Sequence, residues 1–405
     1  MTDAKLKTGA AHPAREVFLA FLKLGVSSFG GPIAHLGYFR SEFVVRRQWL
    51  SERAYAQLLA LCQFLPGPAS SQVGFSIGLA RAGYAGALAA WAGFTLPSAL
   101  ALTGFAYVAA AVAQSTSGAG LLHGLKLVAV AIVAQALLGM VRTLCPDLRR
   151  ALIGLAAFAL ALALRTPGGQ VAVLVAGALL GVALCRSVDS SPAQAHEPLP
   201  VSRRVGVAAL AAFLLLLFGI PLLYRCFPSP GIALFFAFFR SGALVFGGGH
   251  VVLPLLREAL VPTGWVSDSA FLAGYGAAQA VPGPLFTFGA YLGAIAGAAP
   301  RGLAGAALGL VGIFLPGILI LLGVLPFWQQ LQGRRLARAA ILGVNAAVVG
   351  LLGAALYDPV WVSSVRSVTD AALALLGFVL LTAARAPPWL VVLLTALGSL
   401  GLGSL

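Results

Sequence analysis

A helix-breaking motif occurs twice in this chain, and the two occurrences keep step over most of its length. The first reads Phe29-Gly30-Gly31-Pro32, then Arg40, Glu42 and Trp49, then Gln63-Phe64-Leu65-Pro66-Gly67-Pro68. The second reads Phe246-Gly247-Gly248-Gly249, then Arg257, Glu258 and Trp265, then Gln279-Ala280-Val281-Pro282-Gly283-Pro284. Around them Lys23 falls on Arg240, Ser51 on Ser267, and Gly83, Gly86 and Leu96-Pro97 on Gly302, Gly305 and Leu315-Pro316. The chain is therefore a duplicated module whose copies interrupt their helices at the same places.

With 60% hydrophobic and 9% charged residues, it has too little polar surface for a soluble fold. A bilayer leaves the backbone no solvent partner, so spanning segments must be helices or a closed barrel. Apolar runs of about 20 residues, rather than alternating strands, predict helices. The expected fold is an all-α polytopic membrane protein of about thirteen spans. It has two homologous repeats, 1–185 and 231–405, joined by a polar proline-rich linker (186–204) and a connecting span within 205–230. The first repeat has runs at about 17–37, 84–113, 121–141, 148–164 and 170–185. The short pieces 54–65 and 69–80 read as one span split by Pro66-Gly67-Pro68. The second repeat has 231–255, a broken 268–298, 303–325, 336–356, 369–383 and 387–404. Seven crossings between equivalent points make the copies inverted; a broken pair folded as a hairpin would make them parallel on that count.

The net charge of +15 is scattered around apolar runs, with no basic stretch alternating with aromatics, so it reads as membrane topology rather than nucleic-acid binding. The side holding the N-terminus and linker collects 15 of the 26 cations, which predicts a cytoplasmic N-terminus. Arg40, Arg46, Arg47 and Arg53, in a segment too charged to span, are discordant. Met1 to Glu16 is polar and lacks a signal-peptide core, so the first span is expected to act as its own insertion signal. Four cysteines without a Cys-x-x-Cys pair indicate neither a metal site nor a disulfide framework. Eleven acids, mostly outside the spans, form no cluster for an intramembrane lipid-phosphate enzyme. The expectation is a non-enzymatic protein without cofactor or metal.

Gly and Pro at membrane depth free backbone N–H groups at the start of the next half-helix, and such an end suits an anion. The expected substrate site is Gly30, Gly31, Gly67, Gly247, Gly248 and Gly283, with the hydroxyls of Ser70, Ser71 and Thr287. Lys23 and Arg240, matched in the repeat, would balance a dianion; a central cation costs about 2.5–3.5 kcal/mol, so it needs a reason, and snorkelling to the interface is the alternative. Tight packing or a simple kink would also explain the breaks. Arg40 with Glu42, and Arg257 with Glu258, read as gate ion pairs or coupling carboxylates, or as interfacial pairs without a transport role. Glu52 and Asp268 follow a Trp-x-Ser step and read as the first-turn acids of a capped helix start, with a functional role as the alternative. His123 and Lys126 lie three apart near a span end, and Gln135 and Asn345 lie inside matching spans. His35 and His250 do not align in the repeat, which argues against a shared proton relay.

On the Phe-Gly-Gly and Pro-Gly-Pro blocks, Arg40 through Trp49 and Leu96-Pro97, with their counterparts, the chain resembles the chromate ion transporter family in its long, two-domain form. The resemblance covers roughly 16–185 and 231–400. It implies a carrier of the bacterial inner membrane that expels chromate, with sulfate as the related oxyanion, and so confers chromate resistance. The family's charged segment maps onto Arg40, Glu42, Arg46, Arg47 and Trp49, in a gating or coupling role shared with Arg257, Glu258 and Trp265. The second copy has Pro262 and Thr263 near where the Arg46-Arg47 pair would fall. A passive anion channel is the nearest rival reading, and a homodimer is one assembly compatible with either.

Overall fold

The computed structural model describes residues 13–112, 116–164, 168–186, 199–298, 300–332 and 334–402; most of the linker lies outside them. The described residues form helices and turns, with no strand. In the first copy, α1 (Pro13–Ser27) and α2 (Gly31–Phe39) flank the first break, and α2 continues through a π-helical turn, Arg40–Arg46. Next come α3 (Glu52–Phe64), α4 (Ala69–Val112), α5 (Thr116–Leu144), α6 (Leu148–Ala163) and α7 (Gly169–Leu184), then the connecting α8 (Arg203–Cys226). The second copy contains α9 (Pro230–Ala243), α10 (Val252–Leu260), α11 (Asp268–Ala280), α12 (Phe288–Ile295) and α13 (Gly302–Val324). It continues with the short α14 (Trp328–Gln332), α15 (Arg335–Ala355), the short α16 (Val362–Ser364), α17 (Val368–Thr382) and α18 (Pro388–Leu402).

The helices on either side of each break do not continue as one rod. They fold back on each other. Across the first break Phe21 of α1 meets Phe39 at 5.4 Å between ring centres and stacks on Phe43 at 4.6 Å. Across its counterpart Ser241 Oγ of α9 donates to the Leu255 carbonyl of α10 at 3.3 Å. Around Pro66-Gly67-Pro68 the excursion returns to its origin, since the Arg81 guanidinium lies 5.2 Å from the ring centre of Trp49, just before α3. Around Pro282-Gly283-Pro284 the Tyr291 hydroxyl of α12 donates to the Ala270 carbonyl of α11 at 3.0 Å, and the Gly297 N–H to the Trp265 carbonyl at 2.8 Å. The piece 69–80 is thus the return leg of a hairpin, not the second half of a crossing. The physical reason is length. Incoming legs of 13 to 15 residues reach about 20 Å, short of a hydrocarbon core about 30 Å thick.

Among the described residues, five helical stretches are long and apolar enough to cross a membrane: Ala69–Ala109, Gly120–Leu144, Arg203–Cys226, Gly302–Phe327 and Arg335–Ser364. The first of these turns at Ala82–Gly83, where the backbone leaves helical geometry, so that Gly78 and Gly86 touch. Eight residues of straight helix would hold them about 12 Å apart. α8, only 17% buried over its most apolar stretch, is the peripheral helix.

The two copies are interleaved. α1 packs on α4 and α9 on α13, each within its own copy. By contrast α5 packs on α17 and α18 of the second copy, while α15 packs on α6 and α7 of the first. Small residues permit these approaches: Gly124 abuts Ala396 and Thr395, and Gly343 abuts Gly177 and Gly181.

Candidate functional site

The four hairpin tips meet, and they exchange backbone hydrogen bonds across the copies. The Gly67 N–H, in the first Pro-Gly-Pro, donates to the Val245 carbonyl beside the second Phe-Gly-Gly at 2.7 Å. The Gly283 N–H, in the second Pro-Gly-Pro, donates to the Ser28 carbonyl beside the first Phe-Gly-Gly at 3.0 Å. Gly67 and Gly283 are matched in the repeat, and so are Val245 and Ser28, so one contact is made twice. Both glycines are left-handed, at φ 120° and 103°, which no other residue type adopts cheaply. Each tip also rests on the Leu-Pro segment of the other copy. A methyl group on Gly67 would stand 3.0 Å from Gly317 Cα, and one on Gly283 would stand 2.7 Å from Ser98 Oγ.

Several expected residues surround this junction. Ser70, Ser71 and Thr287 are buried in the first turns that leave the tips. Ser71 Oγ has no hydrogen-bond partner among the described residues, whereas Thr287 donates to the Pro284 carbonyl at 2.7 Å. Gly30, Gly31, Gly247 and Gly248 all have positive φ, and Gly247 faces the unpartnered Oδ1 of Asn345. Gln135 instead donates to the Leu381 carbonyl at 3.3 Å. Lys23 is exposed and Arg240 is half-buried, so the matched cations are not enclosed together. Neither histidine aligned in the repeat. His35 Nε2 lies 3.2 Å from the Ser28 carbonyl, and His250 Nδ1 lies 2.7 Å from the Tyr275 hydroxyl.

Two residues were missed by sequence reasoning. Gln72 Nε2 donates both to Pro66 O and to Gly317 O, each at 2.9 Å, tying the first Pro-Gly-Pro to α13. Its signal was visible, as a lone amide in an apolar run just past the break. Ser28, whose buried Oγ has no partner, carried no signal beyond its position.

The charged residues expected at a gate are paired differently. Arg40 binds Glu52 rather than Glu42, at 2.6 Å, and Arg257 binds Asp268 rather than Glu258, at 2.7 Å. These are matched positions, so the ion pair repeats. The caps are Ser51 and Ser267, which accept from Ala54 N–H and Ala270 N–H; Glu52 and Asp268 occupy the first helical turn. With side chains 58% and 56% exposed, the Arg40–Glu52 pair is screened by solvent and holds the hairpin base only weakly. Arg40→Ala is expected to leave transport within about twofold of wild type, as tracer flux would show.

Glu42 takes Arg46 and Arg47 instead, with Arg47 Nε at 2.7 Å. Glu16 joins the hairpin bases, accepting from Arg47 at 3.4 Å and Arg81 at 3.0 Å. The guanidiniums of Arg47 and Arg81 each lie 5.2 Å from the Trp49 ring centre, and Trp49 stacks on Phe43. Burial pushes the Glu42 carboxyl up, and hydrogen bonds from Arg47 and Arg46 more than reverse this, leaving it below its ordinary range. Trp265, half-buried, packs on the core, and among the described residues no cation lies over its ring. A cavity of about 260 Å³ is lined by Gln170, Arg257, Glu258, Asp358 and Pro359 among others. Glu258 Oε1 is buried there without a hydrogen-bond partner. Among the described residues no group of three or more His, Cys, Asp or Glu could hold a metal ion.

The family model for the chromate transporter matches residues 15–182 and again 232–401, one match per copy. The chain belongs to the chromate transporter family. Relatives in that family include a chromate transport protein of Pseudomonas aeruginosa, 30% identical over 87% of this chain and 82% of its own. Another, from Cupriavidus metallidurans, is 27% identical over 92% of this chain and 88% of its own. An uncharacterized transporter of Methanocaldococcus jannaschii is 25% identical over 84% of this chain and 82% of its own. No solved structure matches. The family matches leave out α8 and the linker, consistent with the peripheral place of α8.

Proposed function

We propose that this protein exports chromate across a bacterial inner membrane, binding the dianion where the four hairpin tips meet. The observation that carries this reading is the pair of crossed hydrogen bonds, Gly67 to Val245 and Gly283 to Ser28. They gather half-helix N-termini from both copies at one place, each with about half a positive charge and unsatisfied N–H donors. Ser71 and Ser28 add buried hydroxyls that lack partners, and a buried donor without one costs about 1–3 kcal/mol. An oxyanion accepting from them removes that penalty. Gly30, Gly31, Gly247, Gly248 and Thr287 complete the proposed site. Lys23 and Arg240 act on it from its periphery.

Hairpins that return to their own face support inverted copies and a cytoplasmic N-terminus. α4 after Gly83, α5, α6, α7 and α8 then give five crossings between the copies, an odd number. The discordance of Arg40, Arg46, Arg47 and Arg53 disappears, since these share the N-terminal face with Arg81, Arg149 and Arg150. Among the described residues only Arg225, Arg257, Arg301 and Arg366 fall on the opposite face. Export of a dianion down a 100 mV potential, negative inside, gains about 4.6 kcal/mol and needs no coupled ion. Chromate and sulfate are both tetrahedral dianions, and a site of backbone and hydroxyl donors separates them poorly.

Tracer chromate flux into inverted vesicles, with potential and pH gradient set separately, tests the proposal. The expected result is saturable, potential-driven uptake inhibited by sulfate. Conductance without saturation or counterflow would instead identify a channel, and no flux under any gradient would remove chromate as substrate.

A further inference from the structure

Lys126 stands apart from everything used so far. It lies six residues into the apolar stretch Gly120–Leu144, about 9 Å below its end, and is 7% exposed. A buried ammonium without a partner is unfavourable by several kcal/mol, so it needs a counter-charge. None of the described residues hydrogen-bonds or ion-pairs with it. The charged groups whose fields reach it are Arg366, Asp268 and Asp370. Both acids are already engaged. Asp370 accepts from His123 Nε2 at 2.8 Å and from the N–H groups of Arg366 and Ser367, at 3.0 and 3.1 Å. Asp268 accepts from Arg257. Arg366, exposed, adds a like charge. The cluster therefore lacks negative charge and acceptor atoms.

Its position is as informative as its charge. The carbonyl of Leu125, next to Lys126, abuts Gly276 of α11, and Gly276 lies six residues before Pro282. Lys126 thus sits about two helical turns from the second Pro-Gly-Pro tip, toward the face where the second-copy hairpins are rooted. The second copy contains no lysine.

We infer that Lys126 forms a second station for a small divalent oxyanion, between the tips and the face bearing Asp268 and Asp370. The inference rests on the transport reading above. In export this station receives the anion after it leaves the tips, and Arg366 draws it onward.

Labelled chromate, offered separately to each face of membranes holding the full-length protein, tests this. Lys126→Gln is expected to raise the half-saturating concentration at least fivefold on the second-copy hairpin face and less than twofold on the other. Lys126→Arg should restore most of the loss. An equal change on both faces, or none, overturns the inference. Absence of wild-type flux would defeat the transport reading first, and this inference with it. A measurement on unaltered protein guards against a variant that fails to fold. Acylation by a water-soluble amine reagent, read by mass spectrometry, should be slowed by chromate at Lys126. Unprotected acylation at Lys126 overturns the station.

Discussion

Chromate flux through Gly67→Val or Gly283→Val protein is expected to fall at least about 30-fold. The backbone at both positions is left-handed, and a side chain there adds about 1–3 kcal/mol of strain. Overpacking against Gly317 Cα, or against Ser98 Oγ and the Phe94 carbonyl, adds about 1–3 kcal/mol more. Each 1.4 kcal/mol is about tenfold. The variants are expected to reach the membrane but lose the crossed hydrogen bonds and hence the site. Gly104→Ala and Gly139→Ala are the controls, since a methyl group at either meets nothing within 4 Å. They should transport as wild type, with unchanged or higher melting temperature. If the tip variants also transported normally, the crossed contact could not be where the anion binds.

The second large effect is expected at Trp49. Its ring, 7% exposed, lies against Phe43 and beneath the guanidiniums of Arg47 and Arg81. Trp49→Ala is expected to destabilise the first-copy hairpins by about 3–5 kcal/mol from lost packing, with about 1–2 kcal/mol more from the cations. Thermal unfolding in detergent and accumulation in membranes would both report it. Trp265→Ala should lose clearly less, because that ring is half-buried and no described cation lies over it. Equal losses would mean that the clamp of Glu16, Glu42, Arg47 and Arg81 contributes nothing beyond a buried indole. The clamp is also acid-sensitive. Folding depresses the Glu42 pKa, so its contribution is complete above the ordinary carboxylate range and is lost as pH falls through the depressed value.

The positions of the breaks were legible because Gly-Gly and Pro-Gly-Pro disfavour helix, and their repetition marked them as architecture. The direction taken after each break was not. A twelve-residue apolar run such as 69–80 serves equally as half a crossing or as the return leg of a hairpin. Only contacts far apart in sequence, Trp49 with Arg81 or Ala270 with Tyr291, decide between them. Charge pairing failed for the same reason. Arg257 and Glu258 are neighbours in sequence and line one cavity, yet Arg257 pairs with Asp268 across the hairpin base. The polar lining was half visible. Ser70, Ser71 and Thr287 follow the breaks directly, but Gln72 acts through an oxygen of α13 more than two hundred residues away.

The exchange of partners between α5 and α15 has a consequence for how the protein is made. While the ribosome is still translating the second copy, α6 and α7 are already in the membrane without α15, and α5 waits longer still for α17 and α18. Neither half of the gene product can finish its own assembly. The nascent first copy must be held open, its glycine-lined grooves filled by lipid or by the insertion machinery, until the last helix arrives to close them.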